Sequence, residues 1–208
     1  FICMITMTLG NLAALQQTNM KRLLAYSSIA QAGYALMGFA VLSNDGIRAM
    51  LFYLIAYYIM DAGAFLVVMI VANSTGREDL DAYRGLAWRG GVVPALALTI
   101  FLLSLTGIPS TVGFIGKFYL FSAVISGKFY FLAVVGVLNS VVSLYYYMRP
   151  VKAMFLDQPA GDEGTVTAES WNLSLMGALA CATIFFGFYW AWIISFATRS
   201  LQFFTGPT

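Results

Sequence analysis

Histidine is absent from this sequence, and cysteine occurs only twice in 208 residues. Cys3 and Cys181 both lie in apolar runs, and neither stands in a CxxC or metal-ligand spacing. A nucleophile–histidine pair is therefore excluded. No disulfide, zinc site, haem or iron–sulfur cluster held by this chain alone is expected. Charge is equally scarce: 10% of the residues are Asp, Glu, Lys or Arg, against about 25% in an average soluble domain. The net charge of +2 is too small to suggest a nucleic-acid partner. No phosphate-cradling P-loop is present.

Apolar residues make up 61% of the chain, and the mean hydropathy is +0.82. No soluble fold hides that much apolar surface. The expected fold class is all-α: a polytopic membrane helix bundle of about six transmembrane helices, one of them discontinuous.

The discontinuity is read from residues 92–127. As one helix these 36 residues would rise about 54 Å, too long for one straight crossing and too short for two with a turn. A Gly107-Ile-Pro109 triplet inside the apolar run FLLSLTGIPSTVGFIGKFYLF (101–121) supplies a break, and Gly113 and Gly116 follow it. Lys117 comes next, flanked by Ile115, Phe118, Tyr119 and Leu120. A lysine in so apolar a run is costly unless it meets a partner or water. It stands about 15 Å from the end of the helix at Gly127, beyond easy reach of a snorkelling side chain. The reading is a broken membrane helix carrying a buried, titratable amine.

The remaining spans are expected at 1–15, 23–42, 49–72, 129–148 and 173–196. The first rises only about 22 Å, short of the hydrocarbon core, and lacks the basic flank and cleavage site of a signal peptide. It reads as the remainder of a helix that begins upstream, which makes the chain a C-terminal fragment. In the second span Ser27, Gln31 and Tyr34 fall on one face by spacings of three and four, either as interhelical hydrogen-bond partners or as part of a polar path. Asp61 lies roughly 17 Å from either end of its span, at the bilayer midplane, with Tyr57 and Tyr58 one turn earlier as donors. It is either a proton relay or a protonated acid bonded within the bundle. Asn139, Ser140 and Ser143 give the fifth span a polar stripe. Tyr145, Tyr146 and Tyr147 with Arg149 are expected at the headgroups, as are Trp190 and Trp192. The mixed charges of 73–91 suggest a solvated connection, and 149–172 reads as a polar loop. Lys21, Arg22, Arg77, Arg84, Arg89, Arg149 and Lys152 fall on one side, and Arg48, Lys128 and Arg199 on the other. The positive-inside rule puts the first set in the cytoplasm or its equivalent.

Two long motifs, LGNLAALQQTNMKRLLAYSSIAQAGY (9–34) and LLSLTGIPSTVGFIGKFYLF (102–121), together with YYYMRPVKAMF (145–155), resemble the antiporter-like membrane subunits of respiratory complex I. Lys117 stands where one branch, subunit M, usually has a glutamate, and so favours the branch called subunit N. The resemblance implies that 1–208 is one membrane-domain fragment. Residues 1–155 would form the second of two inverted five-helix repeats, and 173–196 the C-terminal helix. It makes Lys117 the functional lysine of a broken helix; Asp61 as a further proton relay and Ser27, Gln31 and Tyr34 as a possible polar path rest on the placing of those residues in their spans, not on the resemblance. Many relatives carry histidine at the position of Gln31 and a neutral polar residue at that of Asp61. The implied function is proton translocation coupled to electron transfer from NADH to quinone; a subunit of a multi-subunit cation/proton antiporter is the alternative. The chain itself would hold no redox centre or cofactor, and NADH and quinone would be used by the whole complex. The implied partners are the other membrane subunits of complex I and the lipid bilayer, and the implied location is the bacterial plasma membrane.

Overall fold

The computed structural model describes residues 1–159, 166 and 169–205. Their helices, in order, are α1 (Ile2–Leu15), α2 (Met20–Ala40), α3 (Asn44–Thr75), α4 (Val92–Thr106), α5 (Val112–Ser126), α6 (Tyr130–Phe155), α7 (Ser170–Phe188) and α8 (Ala191–Thr205). Two short 3-10 turns, Leu80–Tyr83 and Leu86–Trp88, separate α3 from α4. Helices α3, α6 and α7 are long and apolar enough to cross a membrane; α1 and α5 are shorter apolar helices.

Local sequence sets the boundaries. Asn19 accepts the Arg22 amide at 3.0 Å at the start of α2, and Ser43 accepts the Gly46 amide at 3.0 Å at the start of α3. Helix α3 stops at Gly76, whose φ of 68° suits a residue without a side chain. Helices α1 and α2 pack backbone to backbone. A Cβ on Gly10 would lie 2.5 Å from the Ala30 nitrogen, and one on Gly33 2.6 Å from the Met7 nitrogen. Small residues at such a crossing let two helices approach where lipid provides no hydrophobic drive.

One end of the bundle gathers residues 16–22, 76–91 and 149–159. The Met20 amide donates to Glu78 O at 2.7 Å and the Leu80 amide to Thr18 O at 2.8 Å. Arg149 donates to Leu15 O and Gln17 O at 2.9 and 3.1 Å. The Gly85 amide donates to Ala153 O at 2.9 Å. All seven basic residues of the larger set therefore share this end. Here Lys21 and Asn19 bond the Glu78 carboxyl and hold it below the usual carboxylate range. At the opposite end a Cβ on Gly38 would lie 2.6 Å from Gly46 O, and one on Gly127 2.8 Å from Val41.

The structure revises four boundaries and environments. Segment 73–91 is solvated only in part, with Asn73, Ser74, Gly76 and Arg77 exposed but its second half packed into the bundle. Ala82, Tyr83 and Leu86 are fully buried, and Arg89 donates to Ala82 O at 2.7 Å. Burial holds the Tyr83 hydroxyl above its ordinary pKa. Helix α6 continues through Pro150 to Phe155, so the connection that follows is shorter than 149–172; residues 160–165, 167 and 168 lie outside the described residues. Tyr146 and Tyr147 do not stand at the headgroups but are fully buried, and only Tyr145 of the three is exposed. The span expected at 173–196 is two helices that meet at Tyr189 and Trp190.

Candidate functional site

The broken helix is α4, five non-helical residues, and α5. Gly107 ends α4 with φ 93°, and its amide reaches Leu103 O and Ser104 O at 3.1 and 3.0 Å. The chain then turns through Ile108, the exposed Pro109, and Ser110, which carries a φ of 74°. Each later glycine has a steric reason. A Cβ on Gly113 would lie 1.9 Å from Ser104 O, and one on Gly116 2.9 Å from the Tyr53 ring. The Gly113 amide also donates to Ser104 Oγ at 3.1 Å, tying the two halves together.

Lys117, on the first turns of α5, points back at the break and is only 5% exposed. Its Nζ donates to Thr106 O at 2.9 Å and to Ser140 Oγ of α6 at 3.2 Å. It also lies 4.5 Å from the centroid of the Tyr34 ring, a cation–π distance. A Cβ on Gly107 would lie 3.0 Å from Lys117 Cδ, so Gly107 clears the side chain's route as well as turning the chain. Thr106, Pro109, Phe118, Val137 and Ser140 line a cavity of about 390 Å3 with Lys117.

Ser27, Gln31 and Tyr34 share one buried face of α2, each 1% exposed, but they serve two clusters. Tyr34 belongs to the lysine: its hydroxyl bonds Ser140 Oγ and Gly136 O, both at 3.0 Å. Gln31 Nε2 donates to Leu105 O and to the Tyr147 hydroxyl, both at 3.2 Å, and Gln31 Oε1 accepts from Tyr53. Tyr147 also bonds Ser27. Because Leu105 and Thr106 are consecutive, the last carbonyls of α4 touch both clusters. A third cluster lies beside them: Asn11 Nδ2 donates to Asn139 Oδ1 at 2.8 Å, Tyr146 donates to Asn11 Oδ1 at 2.9 Å, and Asn139 Nδ2 donates to Thr8 at 3.1 Å.

Asp61 sits in the middle of α3, half-buried, away from Lys117 and its ligands. Its Oδ1 is buried without a hydrogen-bond partner among the described residues. Tyr57 and Ser28 are its polar neighbours, whereas Tyr58 is 75% exposed and points away. Tyr53, Tyr147, Asn11 and Ser140 complete the site. Of these, only Ser140, in the polar stripe of α6, had a signal in the sequence that pointed inward. Tyr147 carried one that pointed the wrong way.

A bundle built on a helix broken around a buried lysine is the architecture of antiporter-like membrane subunits. The Mrp complex of Dietzia sp. DQ12-45-1b shares this fold, with a TM-score of 0.89 at 22% identity over 99% of this chain and 46% of that one. Residues 1–143 match the family model described as NADH:quinone oxidoreductase/Mrp antiporter, TM, and the chain belongs to that family. It is 50% identical over 97% of its length to NADH-quinone oxidoreductase subunit N 2 of Sorangium cellulosum (strain So ce56), covering 40% of that protein. Respiratory complex I from Thermus thermophilus with bound aureothin contains a similar chain. Its TM-score is 0.80 at 31% identity, over 93% of this chain and 43% of that one. The chain thus spans about 40% of the length of the curated relatives it matches.

Proposed function

We propose that this chain is part of a proton-translocating membrane subunit of NADH-quinone oxidoreductase, of the subunit N kind, in the bacterial plasma membrane. Residues 1–155 act as the second inverted repeat, and the end carrying the seven basic residues faces the cytoplasm. Electron transfer from NADH to quinone takes place in other subunits, which are its partners. One observation carries the reading. A lysine amine is buried at a helix break, held by a carbonyl, a hydroxyl and an aromatic face, with no carboxylate among its ligands in the described residues. Without a fixed acid, its charge responds to charges that move in neighbouring segments. Ser140 and Tyr34 lead from it on one side. On the other, the Thr106 and Leu105 carbonyls separate it from the hydroxyls of Tyr53, Tyr147 and Ser27 around Gln31; those hydroxyls can pass a proton, whereas the carbonyls only accept, so water has to bridge the two clusters. The test is proton uptake and NADH:quinone reductase rate together, measured in vesicles containing the full complex. Proton uptake independent of variants at Lys117 would remove the reading.

A cation/proton antiporter subunit is the second reading, favoured by the family's shared description and by the likeness to the Mrp fold. Sodium-driven proton movement in such vesicles without NADH would select it.

Asp61 is the second proposed relay. Its place off the main chain of bonds leads us to expect a small effect. Asp61→Asn should leave assembly intact and lower proton uptake by less than about threefold, a change worth under 1 kcal/mol. Loss of uptake comparable to that from Lys117→Met would place Asp61 on the obligatory route.

A further inference from the structure

A second cavity lies toward the opposite end of the bundle, on another face of α5, and shares no lining residue with the Lys117 cavity. It measures about 280 Å3 and is lined by Asp45, Arg48 and Ala49 of α3, Tyr119, Ser122, Ala123 and Ser126 of α5, and Ile194 and Thr198 of α8. Its size is just below the usual range for ligand cavities, about 300–1,000 Å3, and suits a headgroup rather than a whole ligand. Its polar groups are only partly satisfied by the protein. The Nε of Arg48 is buried, with no acceptor among the described residues. Asp45 engages only Nη1 of that guanidinium, at 3.4 Å. Thr198 donates its proton to Ile194 O, so it offers the cavity only lone pairs. Ser122 and Ser126 present further hydroxyls from one face of α5.

The cavity therefore has a guanidinium and a carboxylate on its α3 wall, hydroxyls on its α5 wall and an acceptor on its α8 wall, with apolar side chains between them. Arg48 and the two serines suit a phosphate, which guanidinium binds in bidentate fashion. Asp45, 81% exposed at its side chain, would oppose a bare anion but suits an ammonium beside that anion. Asp45 and Arg48 lie in the first two turns of α3, which places the cavity at headgroup depth. The exposed Trp190, Trp192 and Phe196 next to Ile194 and Thr198 are side chains of the kind that sit at this interface.

We propose that this cavity binds the headgroup of a zwitterionic aminophospholipid, with its phosphate on Arg48, Ser122 and Ser126 and its ammonium on Asp45. The glycerol end then rests on Ala123 and Ile194, and the acyl chains leave into the bilayer. The lipid ties α8, which ends the described chain, to α3 and α5.

Native mass spectrometry of the full-length protein in its membrane assembly tests this, after exchange into mixed phosphatidylethanolamine and phosphatidylglycerol. Wild type should retain one phosphatidylethanolamine per copy. Arg48→Gln should lower that occupancy about tenfold, the loss of one charge-assisted contact. Asp45→Asn should remove the preference for phosphatidylethanolamine over phosphatidylglycerol. The milder Ser122→Ala/Ser126→Ala pair should lower occupancy several-fold and covers the case in which Arg48→Gln fails to assemble. Equal retention in wild type, Arg48→Gln and the serine pair would overturn the site. Equal retention of the two lipids by wild type would overturn the zwitterionic assignment. Displacement of the lipid by inorganic phosphate would assign the cavity to a free anion instead.

Discussion

Lys117→Met should assemble into the full complex and lose at least nine-tenths of its proton uptake, with quinone reduction slowing in step. Methionine fills nearly the same volume beside Gly107 and Tyr34 but has no proton to give. The change leaves the Thr106 carbonyl and the Ser140 hydroxyl without the amine. That costs about 1–3 kcal/mol, bearable in a large assembly. No buried counter-charge of the described residues is stranded, because no carboxylate among them is a ligand of the lysine. Lys117→Arg should fail as well, for two reasons. Guanidinium does not release its proton near neutral pH, and the route past Gly107 is already narrow: a Cβ there would come within 3.0 Å of the lysine stem. Proton uptake and reductase rate in reconstituted vesicles, normalised to assembled complex, give the answer. Wild-type uptake by a fully assembled Lys117→Met complex would make the lysine structural.

The second large effect is expected at Gly113. One methyl there would sit 1.9 Å from Ser104 O, and a backbone oxygen at the end of a packed helix cannot step aside as a flexible side chain can. Gly113→Ala should therefore separate the two half-helices and weaken the Gly113–Ser104 bond that joins them. A cost of about 3 kcal/mol or more would show as loss of assembled complex on a native gel and a lower melting temperature. Gly177→Ala is the control: a Cβ there meets nothing within 4 Å, so its effect should stay within about 0.5 kcal/mol. Equal behaviour of the two variants would mean that the close approach at Gly113 is not maintained in the membrane.

The break and its lysine were legible because both violate the rule of their surroundings. A Gly-Ile-Pro triplet cannot continue a helix, and an amine does not belong in hydrocarbon. The arithmetic of 36 residues against one crossing left no continuous alternative. The tyrosines were not legible, because tyrosine suits both a headgroup belt and a buried polar cluster. Only the packing of α6 against α1 and α2 decides for Tyr146 and Tyr147. Gln31 was read on the correct face, but its partners Tyr53 and Leu105 lie 22 and 74 residues away, beyond any helical period. The junction at Tyr189 and Trp190 lacks proline, and its nearest marker, Gly187, earns its place by proximity. A Cβ there would lie 2.5 Å from Ser110 O, so α7 ends where the break of α4 and α5 passes, a coincidence of depth that the sequence does not encode locally.

Thr106, whose carbonyl accepts the lysine's hydrogen bond, is the last residue of α4. Aligned peptide dipoles leave about half a negative elementary charge at a helix's carboxyl end, and the structure directs it at Lys117 Nζ. Among the described residues, the counter-charge facing this amine is thus the backbone's. It has no proton of its own to exchange and no side chain whose substitution could delete it. A lysine balanced this way keeps a partner of constant sign whatever the protonation of its neighbours. The variable share of its electrostatic environment then comes from groups that do not bond it, which is the arrangement a relay needs if a distant redox event is to set the moment of transfer.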